Sequence, residues 1–196
     1  MGGWSIGFHR EGFECIGVDI VDVGYPYDFI QADVKGFKVD GLGPCDVVVG
    51  SPPCTEFSNL TKGIAKMPNP KRGPPDPEKG MVLVRECRRL IEDSNPRFWI
   101  VENVEGARKH FYPVFGKPSF VNKPWFLWGN FPKFLMPFSN RLYKTTDSSD
   151  KSILNQRNRF DPLASWKRSR IPIALSLQLA KACKASVKMA NPEKGS

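Results

Sequence analysis

The pattern of apolar and polar positions divides the chain into short runs. Asp46 leads into Val47-Val48-Val49, and the run meets Gly50-Ser51-Pro52-Pro53, so a short buried strand stops abruptly and delivers Cys54 just past its end. Upstream, residues 1–13 read as a helix entered through Gly2-Gly3, with Trp4, Phe8 and Ile6 inward and Gly12 as its stop. Glu14 to Ile20 and Phe29 to Val34 read as two short strands, each with an acid at or near its exit, Asp19 and Asp33. Between Asn59 and Pro75 four prolines alternate with Lys62, Lys66, Lys71 and Arg72, which excludes a regular element and suggests a basic flap beside Cys54. Asp76 and Pro77 are an N-cap and a first helical residue, opening a helix to about Ser94 with Val84, Cys87, Leu90 and Ile91 as its apolar stripe. Arg97 to Val104 is strand-like and brings Glu102 and Asn103 to a strand exit. From Gly106 to Ser152 the chain is aromatic, proline-rich and basic, with Trp125 to Phe131 its clear strand. A packed helix is expected from Ile171-Pro172 to about Val187, and residues 191–196 form a tail.

Alternating strands and helices over the first hundred residues predict an α/β fold, a doubly wound, mostly parallel sheet with crossover helices. In such sheets ligands bind beyond the carboxyl ends of the strands. Asp19, Asp33, Cys54 and Glu102 all occupy predicted strand exits, so folding is expected to gather them on one rim.

Composition narrows the chemistry. At 196 residues with 40% hydrophobic side chains, the chain is long enough for one well-buried domain. Twenty-nine Lys and Arg against 20 Asp and Glu give +9 and a pI near 9.4, favouring a polyanionic partner, most often nucleic acid. Aromatics beside Lys133, Arg141 and Lys144 suit base stacking and phosphate contact, or equally a small core with a solvated rim. Neither a long apolar run nor a secretory leader is present, so a cytoplasmic protein with no membrane partner is expected. Five cysteines without a CxxC pair and only two histidines argue against a disulfide scaffold and a metal centre.

The double proline removes two backbone donors and stiffens the turn, so Cys54 is either a small core residue or a directed nucleophile. A thiol and a carboxylic acid facing one cavity suit conjugate addition to an electron-poor ring such as cytosine: thiolate attack at C6, with the acid at N3, makes C5 able to take a methyl group. That role requires Glu102 raised in pKa and Cys54 lowered.

The segments Gly2-Gly3-Trp4-Ser5-Ile6-Gly7-Phe8, Gly17-Val18-Asp19-Ile20, Ala32-Asp33-Val34, Pro52-Pro53-Cys54-Thr55-Glu56-Phe57-Ser58 and Glu102-Asn103-Val104 resemble, in order and spacing, the motifs of DNA cytosine-5 methyltransferases. The resemblance implies the Rossmann-like class I methyltransferase fold, S-adenosylmethionine as donor, and methylation at C5 of a flipped-out cytosine in duplex DNA, as in restriction-modification. It implies Cys54 as nucleophile and Glu102 at N3, supported by Pro53 and Asn103. It further implies a cofactor site from Gly2, Gly3, Trp4, Asp19, Ile20, Asp33, Val34 and Pro52, with Asp19 on the ribose and Asp33 on the adenine amino group. Ser58, Arg157 and Arg159 are the substrate-side candidates. The implied division is a catalytic core at 1–107 and 160–190, a reduced target-recognition region at 108–159, and a tail at 191–196, in a monomer.

Three features depart from that pattern. The family has a strand before the glycines, whereas this chain starts at Met1, so impaired cofactor binding is expected. The family's Gln-x-Arg-x-Arg motif precedes the strand at Trp125, where this chain has Val121-Asn122-Lys123-Pro124, and Gln156-Arg157-Asn158-Arg159 comes later. The recognition region is short. A catalytically silent nucleic-acid-binding homologue and an RNA cytosine-5 methyltransferase are the alternatives. A nucleotide-binding oxidoreductase is disfavoured because no full GxGxxG follows a strand.

Overall fold

A computed structural model describes residues 3–22, 24–57, 75–136 and 171–190. The chain divides into two compact units, residues 1–31 with 132–196, and residues 32–131.

In the first unit, helix α1 (Gly3–Arg10) ends as its sequence directs. Gly12, at φ +87°, takes the left-handed position, its N–H donates to the His9 carbonyl, and the Phe13 N–H donates to the Phe8 carbonyl. This is the Schellman arrangement, and its usual apolar contact is present as the edge-on Phe8–Phe13 ring pair at 5.2 Å. Strands β1 (Ile16–Asp19) and β2 (Asp28–Gln31) pair in parallel, Ile16 beside Asp28 and Asp19 beside Gln31. The C-terminal helix, Ile173–Ala190, packs on α1 through buried Leu175, Ser176, Leu179, Ala180 and Cys183 against buried Trp4 and Phe8. The two helices approach so closely because Gly7 has no side chain: a Cβ there would stand 2.0 Å from Ser176 Oγ and 2.5 Å from the Leu177 nitrogen. Ser176 Oγ donates to the Trp4 carbonyl across the same contact.

In the second unit, β3 (Val47–Gly50), α2 (Pro77–Ser94) and β4 (Phe98–Asn103) form a parallel βαβ unit. Asp76 caps α2 by accepting from the Glu78 and Lys79 amides at 3.1 and 3.4 Å, with Pro77 first in the helix. Asn95, at φ +40°, closes the other end. The expected α2 stripe is shifted toward the N-terminus. Met81, Val84 and Ile91 are buried, and Cys87 packs beneath β3, its Sγ 3.2 Å from where a Gly50 Cβ would stand.

One sequence expectation needs correction here. The stretch after Gly106 holds more than the Trp125 strand. It contains helix α3 (Arg108–Phe115) and strand β5 (Phe120–Asn122) before β6 (Trp125–Asn130). The sheet, expected to be mostly parallel, has an antiparallel edge: in the order β3-β4-β6-β5, β6 runs antiparallel to both β4 and β5. Phe111 ties α3 and β6 to the core. Fully buried on α3, it sets its ring 4.8 Å from Trp128 of β6 and 5.4 Å from Phe57, and thereby joins the new elements to the core of Met81, Val84, Val101 and Phe126. With α4 the name for Ile173–Ala190, no described helix is long and apolar enough to cross a membrane.

Candidate active site

The β3–β4 ladder ends at the Gly50–Val101 pair. It cannot continue, because Pro52 and Pro53 have no N–H to donate. On its other edge, however, β4 stays paired to β6 for two further residues, Glu102 opposite Leu127 and Asn103 opposite Phe126. Glu102 and Asn103 therefore lie within the strand rather than after it, in a notch where β3 has departed.

Side chains replace the missing ladder bonds. Asn103 is 1% exposed. Its Nδ2 donates to the Pro52 carbonyl at 2.8 Å, and its Oδ1 accepts from the Val104 amide at 2.9 Å. Beside it, the Ser51 hydroxyl hydrogen-bonds the Glu102 carboxyl. Glu102 keeps some surface, but its carboxyl is enclosed. Desolvation pushes its pKa from 4.5 to about 7, while the Ser51 hydrogen bond pulls the other way.

Held at Pro52, the backbone passes through Pro53 (φ −51°, ψ 124°) into a single 3-10 turn, Cys54–Glu56, closed by the Phe57 amide donating to the Cys54 carbonyl at 3.0 Å. Cys54 is partly exposed, whereas Phe57 is buried in the core. The thiol thus stands at the start of a turn fixed at both ends. Three other cysteines have a different character. Burial raises Cys15, and it pushes Cys87 to about 11 and Cys183 to about 12, which makes them packing groups.

The four strand-exit residues do not all fall in one unit: Cys54, Glu102 and Asp33 belong to 32–131, and Asp19 to the other unit. Both Asp residues make local turns. Asp19 Oδ1 accepts from the Val21 amide at 3.1 Å, and Asp33 Oδ1 from the Lys35 amide at 3.0 Å. That amide, more than the Lys35 ammonium 3.4 Å from Oδ2, holds exposed Asp33 below the usual carboxylate range. Ile20 is 61% exposed, directly after Asp19. Gly3 faces Ile171, whose carbonyl would lie 2.7 Å from an added Cβ, and Trp4 is buried in α1. The Val34 carbonyl accepts from Arg89 at 3.0 Å. Gly2, Ser58, Arg157 and Arg159 lie outside the described residues, as does most of the expected basic flap. Among the described residues no group of three or more His, Cys, Asp or Glu could hold a metal ion.

Sequence reasoning missed Ser51, because its place beside Glu102 follows from the register that pairs Gly50 with Val101, which the sequence does not set.

Comparison with known proteins gives the family. The family model for C-5 cytosine-specific DNA methylases matches residues 1–114. A Frog virus 3 protein named "Probable DNA (cytosine-5)-methyltransferase" is 35% identical over 111 residues, 53% of this chain and 49% of its own length. Type II methyltransferase M.FnuDI of Fusobacterium nucleatum is 30% identical over 113 residues, 54% of this chain and 30% of its own. The chain thus spans about half, or less, of the curated relatives it matches. With a family match over more than half the chain and a Rossmann-like α/β architecture carrying the Pro-Cys turn beside Glu102-Asn103, the chain belongs to the C-5 cytosine-specific DNA methylase family.

Proposed function

We propose that the chain methylates C5 of cytosine in duplex DNA, with S-adenosylmethionine as methyl donor and Cys54 as nucleophile. The observation that carries this reading is the tethering of the Cys54 turn to the end of β4, beside a carboxyl that burial brings to about 7. Near neutral pH that carboxyl is protonated about half the time. Cys54 as thiolate adds to C6 of the ring, and the electron pair displaced from the C5–C6 bond is stabilised as Glu102 gives its proton to N3. C5 is then nucleophilic. The cofactor supplies an electrophilic methyl group at this stage. Transfer of the C5 proton to water re-forms the C5=C6 double bond and expels the Cys54 thiolate, and the N3 proton returns to Glu102. Asn103 and Pro53 touch no reacting atom in this scheme and hold the turn in place.

The first unit fits a nucleoside. At the carboxyl end of β1 a carboxylate, Asp19, adjoins exposed apolar Ile20 and Val21, a combination suited to ribose hydroxyls and a flat base. In this reading Asp19, Ile20, Gly3 and Trp4 are the cofactor-holding candidates of the first unit, and Asp33, Val34 and Pro52 those of the second. Residues 108–159 would carry target recognition.

Transfer of a labelled methyl group to defined duplex DNA and to RNA, with wild type and Cys54→Ala, tests the proposal. Incorporation into DNA that disappears in Cys54→Ala supports it. Incorporation that persists in Cys54→Ala, or that occurs only in RNA, overturns it.

A further inference from the structure

Glu56, two residues beyond Cys54, has no part in the chemistry above, yet it makes a long-range contact. Its Oε2 accepts from the backbone N–H of Asp76 at 2.7 Å, across 20 positions of sequence. Asp76 is the N-cap of α2, and its amide is among those that helix geometry leaves without an intrahelical acceptor. Many helices solve this with a capping box, in which a Glu or Gln at the third helical residue reaches back to the N-cap amide. In α2 the third residue is Lys79, which has no acceptor. Asp76 performs its half of the box by accepting from the Glu78 and Lys79 amides, and Glu56 supplies the other half from the Cys54 turn. Its carboxylate also lies at the positive end of an 18-residue helix.

The next residue reinforces the attachment. A Cβ at Gly80 would stand 2.6 Å from Phe57 Cζ and 3.0 Å from Glu56 Cβ, so the first turn of α2 accommodates both side chains through the absence of its own. Cys54 is therefore flanked by two attachments. Pro52 before it is tied to β4 by Asn103, and Glu56 after it is tied to α2.

We infer that Glu56 is a positioning residue for Cys54, completing the cap of α2 from outside the helix and so fixing the turn that presents the thiol. This rests on the reading of Cys54 as nucleophile, and its test separates the two. Glu56→Ala and Glu56→Gln are compared with wild type in the full chain by methyl-transfer kcat and KM on duplex DNA, and by the rate at which iodoacetamide alkylates Cys54, mapped by mass spectrometry. Cys87 and Cys183 serve as internal controls for unfolding. In Glu56→Ala, kcat is expected to fall about tenfold with KM for DNA changed less than about twofold, because a loosened turn misplaces the nucleophile without touching the DNA surface. Alkylation of Cys54 should change by at least about threefold while the two control thiols do not. In Glu56→Gln the carboxamide oxygen accepts from the same amide, so both readouts should return to within about twofold of wild type. Wild-type alkylation of Cys54 in Glu56→Ala, or Glu56→Gln as impaired as Glu56→Ala with the control thiols still protected, overturns the inference. If wild type transfers no methyl group, the nucleophile reading fails by itself, and the alkylation rates still decide whether Glu56 holds the turn.

Discussion

Glu102 is the group whose replacement gives the most quantitative test. Folding encloses its carboxyl, and its pKa rises from the ordinary 4.5 to about 7. At about 1.4 kcal/mol per tenfold change, that rise corresponds to about 3 kcal/mol of strain on the ionised form, and less to the extent that its remaining exposure lets water reach it. The sign follows from proton counting. Between about pH 4.5 and 7 the native chain holds a proton on Glu102 that the unfolded chain has released, so the stability associated with this group is present below pH 4.5 and is lost as pH rises through 7. Glu102→Gln keeps an acceptor for the Ser51 hydroxyl and removes the ionisation. Urea unfolding of both proteins at pH 5, 6, 7 and 8, taken as the difference between them, cancels every other titrating group. The variant should gain on wild type as pH rises, with most of the gain falling between pH 5 and 7 and reaching about 2 to 3 kcal/mol at pH 8. A difference that stays flat with pH would refute the claim that Glu102 is buried at the cost of its charge. The same variant should lose methyl transfer, and in wild type transfer should decline as pH rises through 7, since the protonated carboxyl is the working form.

Asn103→Ala strips partners from the Pro52 carbonyl and the Val104 amide and should cost about 2 to 4 kcal/mol in urea unfolding, with methyl transfer falling alongside. A loss under about 0.5 kcal/mol would mean that water or another group replaces both bonds. Gly7→Ala reverses the ordinary rule that alanine improves a helix interior by about 1 kcal/mol. With a Cβ 2.0 Å from Ser176 Oγ it should destabilise by about 1 to 3 kcal/mol, and a raised thermal midpoint would show that α1 and α4 are not so close. Duplex DNA affinity should fall more than about tenfold between roughly 50 and 200 mM salt, as expected of a chain of net charge +9 contacting phosphates. A flat fluorescence titration over that range contradicts backbone-led binding.

Features set by local chemistry were legible in the sequence. The start of α2 follows from Asp76 and Pro77, the end of β3 from two prolines, and the end of α1 from Gly12, and each stands where the residues place it. The upward shift at Glu102 was expected only as what the acid role requires, and enclosure of the carboxyl is its physical cause. Pairings across long sequence distances were not legible. Helix α3 is eight residues long with Pro113 inside it, and its one signal, the spacing of Ala107, Phe111 and Phe115, is interrupted by basic and proline residues. Strand β5 has three residues, too few for any period to register. Glu56 could not be assigned because its partner is a backbone amide 20 residues away. The glycines at the start of α1 were legible only in part. Read as a ligand seat, they also carry a packing demand that the sequence did not show: Gly3 and Gly7 each face the C-terminal segment at distances that exclude a side chain.

The least legible feature has the largest consequence for the site. The sequence brings Glu102 to a strand exit but does not say what holds it there. Glu102 and Asn103 remain in the strand because β6 stays hydrogen-bonded to β4 after the prolines have removed β3. That leaves one edge of β4 held by backbone and the other held by the side chains of Ser51 and Asn103. Glu102 is therefore as rigid as the sheet, while the turn that carries Cys54 depends on individual side-chain bonds. Residues 125–130 lie in the stretch where target recognition is proposed, yet Leu127 and Phe126 are the ladder partners of Glu102 and Asn103. A substitution that weakens β6 would register first as a change in the acid, and only then as a change in the DNA that is read.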